Sequence, residues 1–264
     1  MGKKKRRKIL KILLFSLCGL IVAVLLTFIP LLMSLETRGM SSIVGEYVTV
    51  FFEQEEVAAK AVFEVLEVDS RRITEALGFD APQNINVYMY DRQSSMQIRR
   101  FGLLVLLLNV EWFVGTNMGT DVIMVSPANP GSQHDWDSIV QVAIHELVHA
   151  YNHLLNRNMR LWIDEGLATY LSHQSPPRGF NITPQNVHYI PSMRQMMRVS
   201  NPLTFANLNG YMFSYTFIEY LHQTFDWEGV LTLARTNDFM EAFGVNEDII
   251  HGGWVSFLLE HYGN

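Results

Sequence analysis

Residues 135–171 read DWDSIVQVAIHELVHAYNHLLNRNMRLWIDEGLATYL, and this stretch decides the fold class. Apolar side chains recur at helical spacing as far as about Leu155, and Asp135 or Asp137 supplies a cap to start such a helix. A second, shorter helix fits Trp162–His173. Within the first helix His145 and His149 stand four residues apart, so they lie one above the other on one face.

Working outward, the downstream sequence stays helical. The proline-rich stretch 175–191 reads as a loop, and further helices fit 210–224, 227–242 and 247–262. Upstream, residues 53–77 have helical spacing and stop at Gly78. Ile85–Tyr90 (INVYMY) alternates and is rich in β-branched and aromatic residues, as a strand is. Asp121–Ser126 (DVIMVS) is a second strand, closed by Pro127 and the turn-like NPG at 129–131. The apolar run Phe101–Val114 fits either a buried strand or a helix. Strands first and helices later predict an α+β domain, with a helix and small β-sheet part over 36–133 and a mostly helical part over 134–264.

The first forty residues differ in character. Seven of the twenty basic residues fall in Met1–Lys11, and no acidic residue precedes Glu36. Ile12–Met33 (ILLFSLCGLIVAVLLTFIPLLM) then runs twenty-two residues without a charge. About 20 apolar residues cross a bilayer core, and basic residues on one flank favour the cytoplasmic side. This predicts an anchor over 1–35: a single transmembrane helix with a cytoplasmic tail and the domain from about Glu36 outside the cell membrane. Rival readings fit less well. A cleaved signal peptide should be shorter and end in small residues; a lipid on Cys18 would want a small residue in place of Leu17; myristoylation of Gly2 would want Ser or Thr in place of Arg6.

Beyond Lys11 the chain carries 13 basic against 26 acidic residues, a net of about −13, which excludes a nucleic-acid binder relying on clustered Lys and Arg. With Cys18 the only cysteine, no disulfide forms within the chain and no cysteine-rich metal site exists.

The two histidines belong to HELVH, residues 145–149. Imidazoles so spaced can both reach one zinc ion, and Glu146 projects beside them, ready to take a proton from a water without being a ligand. A catalytic zinc needs a third protein ligand and one open position. His153 is too far, about 12 Å along the helix from His145. A metzincin-like third ligand would need Gly at 152 and His at 155, where the chain has Asn152 and Leu155.

HELVHA followed by LWIDEGLATYL (161–171) resembles the gluzincin zinc metallopeptidases, in particular the peptidase MA-like branch related to aminopeptidase-type HExxH enzymes. The resemblance covers roughly 134–264, and 80–133 only faintly. It implies a zincin-like helical subdomain in which the glutamate of W-x-x-E-G-x-A is the third zinc ligand; the matching residue is Glu165. An Asp-Glu pair such as 164–165 is usually a solvated helix start, but Trp162, Gly166, Ala168 and Tyr170 all match as well. Gly166 and Ala168 are expected to let the second helix approach the first closely. Fifteen residues separate His149 from Glu165, a few fewer than in aminopeptidases. The related enzymes also carry a tyrosine at the head of a later helix, whose hydroxyl stabilises the oxyanion. Tyr211 in YMFSYTFIEYL (211–221) matches it, with Tyr215 one turn later as second choice; an aromatic stripe is equally what a core helix presents.

The resemblance therefore implies a Zn2+-dependent peptidase acting on peptide or protein substrates, with Glu146 and Tyr211 catalytic and His145, His149 and Glu165 holding the metal, and the apolar run predicts that it is membrane-anchored. Aminopeptidase relatives hold the free amine with the glutamate of a G-x-M-E-N edge strand. Gly115–Thr120 (GTNMGT) lacks it and Glu111 is out of register, which favours an endopeptidase. The alternatives are a catalytically inactive zincin-fold binding or scaffold module in the cell envelope, or a domain serving envelope assembly with cleavage incidental.

Overall fold

A computed structural model describes residues 3–108 and 110–263; Gly2, and the acylation reading with it, lies outside them. The chain opens with α1 (Lys3–Thr27), whose end corrects the reading of an N-terminal transmembrane helix. The apolar run is not one helix. α1 stops at Thr27, and a separate 3-10 turn, Ile29–Leu32, follows with Pro30 near its start. Proline lacks an N–H and its ring clashes with the carbonyl four residues back, so the helix cannot continue through it. Only residues 12–27 are both helical and clear of the basic block, a length of about 24 Å against a hydrocarbon core of about 30 Å. Among the described residues no helix is long and apolar enough to cross a membrane. The single-pass placement, with a cytoplasmic tail and an external domain, falls with it.

β1 (Ser41–Val44) and β2 (Val48–Phe52) form an antiparallel hairpin; α2 (Glu56–Ala76) then crosses over to β3 (Ile85–Tyr90), parallel to β2. α3 (Gln93–Phe101) leads into β4 (Gly115–Met118) and β5 (Asp121–Val125), giving one mixed sheet in the order β1-β2-β3-β5-β4. β4 is therefore an edge strand, antiparallel to β5. Strand side chains alternate between faces. From β3, Val87 and Met89 enter the main core, whereas Tyr90 joins a smaller cluster with Ile123 and Met96 of α3. The described residues of the run Phe101–Val114 form neither a strand nor a long helix. Gly102, at φ 76°, ends α3 and comes so close to Thr27 O that a Cβ there would sit 2.5 Å from it; a 3-10 turn at Leu103–Leu107 follows.

The remaining elements are helical: α4 (Trp136–Leu155), α5 (Leu161–Leu171), short α6 (Met193–Arg198) and α7 (Pro202–Asn207), then α8 (Gly210–Thr224), α9 (Trp227–Thr236), α10 (Phe239–Phe243) and α11 (Glu247–His261). The helix expected over 227–242 is two, because Asn237 turns left-handed (φ 57°) and Asp238 caps a new start. α4 packs on β4, β5 and α2, so it lies against the sheet face that carries the main core. α5 packs between α4 and α8. Gly166 permits a close approach, but to α8 and not to the expected α4: a Cβ there would lie 2.8 Å from Ile218 Cγ1 and 2.9 Å from Ser214 O. Gly166→Ala should therefore push α5 off α8 and cost about 1–3 kcal/mol, read as a lowered urea midpoint. An unchanged midpoint would show that the helices can yield without loss.

Candidate metal centre

α4 is nucleated by a capping box. Asp135 Oδ1 accepts from Ser138 N at 2.8 Å, and Ser138 Oγ accepts from Asp135 N at 2.9 Å, so Asp135 rather than Asp137 is the cap. Two turns further, Ala143, Leu147 and Tyr151 are buried in the core, while His145 and His149 look off α4 toward the start of α5. Glu165 meets them from α5. All three side chains lie in residues only 7% exposed.

Their ligand atoms converge. His145 Nε2 and His149 Nε2 are 3.1 Å apart, and Glu165 Oε2 lies 3.4 Å from the first and 3.5 Å from the second. Donors bonded at 2.0–2.1 Å to one tetrahedral ion stand about 3.3–3.4 Å apart, which is the size of this triangle. The carboxylate is not satisfied within the group. Glu165 Oε2 is buried without a hydrogen-bond donor, since both histidine contacts exceed a well-formed N–H···O distance. An orphaned carboxylate oxygen facing two ring nitrogens fits a cation between them. His145, His149 and Glu165 thus form a buried group able to hold a metal ion.

The electrostatics agree. Burial works to raise the Glu165 carboxyl, but His149 and then His145 outweigh it and hold the group well below the usual carboxylate range. Burial likewise works to lower His149, but Asp164 and Glu165 outweigh it and raise the imidazole well above its ordinary value. The trio gathers negative potential that a proton or a metal ion can neutralise.

Two residues around the ligands carried no functional expectation from sequence. Asp164 Oδ1 accepts from His149 Nδ1 at 2.8 Å and from Asn152 Nδ2 at 2.8 Å. In the neutral ring that hydrogen bond keeps the proton on Nδ1 and leaves the Nε2 lone pair toward the trio. The available signal was spacing: Asn152 stands three residues from His149 on one helix face, and Asp164 precedes the third ligand. His145 Nδ1 has no such brace among the described residues.

Glu146 Oε2 accepts from Asn117 N of β4 at 2.8 Å, so the edge strand holds this carboxylate beside the trio. Glu146, the three converging side chains and Tyr211 all line one cavity of about 620 Å3. Tyr211, in the first turn of α8, has its ring centroid 6.5 Å from that of His145. Tyr215 is not part of this wall; it packs on Tyr170 at 5.3 Å. His153 stays outside the group and lies near the β4–β5 turn at Gly119. Glu111 is likewise elsewhere, its carboxylate accepting from the Ser132 hydroxyl. Compared with the models of known protein families and with curated proteins, the chain matches none.

Proposed function

We propose that the chain is a zinc-dependent peptidase of the gluzincin type, and an endopeptidase. The observation that carries this reading is the convergence of two imidazole nitrogens and one carboxylate oxygen at tetrahedral spacing, with Glu146 beside them in a cavity. When bound, zinc supplies Lewis acidity, polarising a carbonyl and lowering the pKa of water toward about 7. Two nitrogens and one oxygen are a donor set of that kind with room for a fourth position.

The chain's own groups divide the remaining work. Asn117 N–H holds one oxygen of Glu146, leaving the carboxylate to take a proton from water and return it to the leaving amine. Asp164 keeps His149 in the ligand tautomer. Tyr211 is a donor throughout the working range, because burial, and then the charges of Glu165 and Glu146, push its pKa up to about 12. Its hydroxyl serves the negative charge that develops on the peptide carbonyl. Tyr211→Phe should lower kcat by about 10²–10³ with zinc content unchanged. A kcat within threefold of the parent would remove Tyr211 from the mechanism.

The choice of endopeptidase rests on the cavity's carboxylates. Those that line it are Glu146, held by Asn117 N–H, Asp164, held by His149, and Glu165, which faces the two histidines. An aminopeptidase needs one more to hold the free amine. Peptides blocked at the N-terminus should be cut internally, with activity lost to a chelator and restored by zinc. Trimming of unblocked peptides alone would favour an aminopeptidase, and indifference to chelation would end the metallopeptidase reading.

A further inference from the structure

The side of the cavity away from the metal-binding group has a construction of its own. Phe101, Trp112 and Phe113 line it, with Phe101 and Phe113 in contact at 4.8 Å and Trp112 edge-on to Phe113 at 5.7 Å. Phe101 ends α3, and the segment that presents Trp112 and Phe113 is held through its carbonyls. Buried Gln97 donates to Val110 O at 2.9 Å and Phe113 O at 3.2 Å, and Gln93 donates to Glu111 O at 2.6 Å and Phe113 O at 3.0 Å. His134 bonds Trp112 O at 3.0 Å. Yet Trp112 is 63% exposed and Leu203, also on the cavity, 80% exposed. A segment anchored at four carbonyls that leaves a tryptophan side chain in water is a surface suited to an apolar occupant.

We propose that the cavity selects peptide segments with bulky apolar side chains, one of which packs on the Phe101–Trp112–Phe113 wall. This rests on the peptidase reading of the same cavity and adds its substrate class. The occupant follows from continuity: the wall opens directly into the space lined by Glu146 and the metal-binding trio, where the scissile bond would lie. The cation that lines the cavity, Arg100, lies over the Phe101 ring at 5.6 Å.

The test uses the full chain loaded with zinc and blocked peptides that differ at one position, Phe or Leu against Ser. Cleavage of the apolar peptides should be favoured at least about tenfold in kcat/KM. Trp112→Ala, with its zinc content verified, should shrink that ratio to within about threefold. Binding of the same peptides to zinc-loaded Glu146→Gln should show the same preference and the same dependence on Trp112. Equal cleavage of both peptides would overturn this inference and leave the peptidase reading standing. Trp112-dependent apolar binding without any turnover would do the reverse. Phosphatidylcholine vesicles form the last arm: if they bind through Trp112 while Trp112→Ala keeps its peptide preference, the wall faces lipid and the inference fails.

Discussion

Glu146→Gln protein should bind one zinc ion per chain and show no measurable peptide cleavage. The substitution is nearly isosteric. Its amide oxygen can still accept from Asn117 N–H, the contact that holds Glu146 at 2.8 Å, so the β4–α4 junction is undisturbed. Glu146 is not one of the three residues whose ligand atoms converge, so the metal keeps its donors. What disappears is a group able to take up a proton. General acid–base catalysis by a positioned side chain contributes typically 10²–10⁴-fold, and kcat should fall by at least about 10². Stopped assays with a quenched fluorescent peptide, beside zinc determination on the same preparation, read both halves. A kcat within tenfold of the parent would mean another group does the proton transfer.

Glu165→Ala should abolish stoichiometric zinc binding. Glu165 is the only member of the trio that comes from α5, and without it two imidazoles on α4 remain, one turn apart. Its neighbour offers a graded comparison. Asp164→Asn keeps a side-chain oxygen within reach of His149 Nδ1 but removes the charge that orients the ring; such outer partners typically matter 10–100-fold in metal affinity. Competition against a chelating dye should rank the parent above Asp164→Asn, and both above Glu165→Ala. Equal affinities for all three would mean the metal sits elsewhere or is absent.

How much of this was legible in the sequence depended on whether a residue's role is local. The i, i+4 spacing of His145 and His149 on one helix is local, and α4 follows it. Gly166 showed that something must come close but not what, because a missing side chain carries no information about its neighbour; α8 fills the space rather than α4. Asp164 has no role legible in sequence because its two partners, His149 and Asn152, are brought to it only by the packing of α5 on α4. Asn117 acts through its backbone N–H, which leaves no trace in residue identity. The N-terminal run was misread for the opposite reason. Pro30 was in plain view, and counting apolar residues alone gave it no weight against the twenty-two-residue length. The apolar stretch after Phe101 fits helix and strand alike, and Gly102 with its positive φ directs the chain into neither.

The central claim is that one metal ion sits between His145, His149 and Glu165. Anomalous scattering at the zinc absorption edge, from crystals of protein purified without chelator, measures this directly. The predicted result is a single strong peak about 2.0–2.1 Å from both histidine Nε2 atoms and from a Glu165 carboxylate oxygen. Protein that takes up no zinc, or a peak that leaves Glu165 uncoordinated, would contradict it.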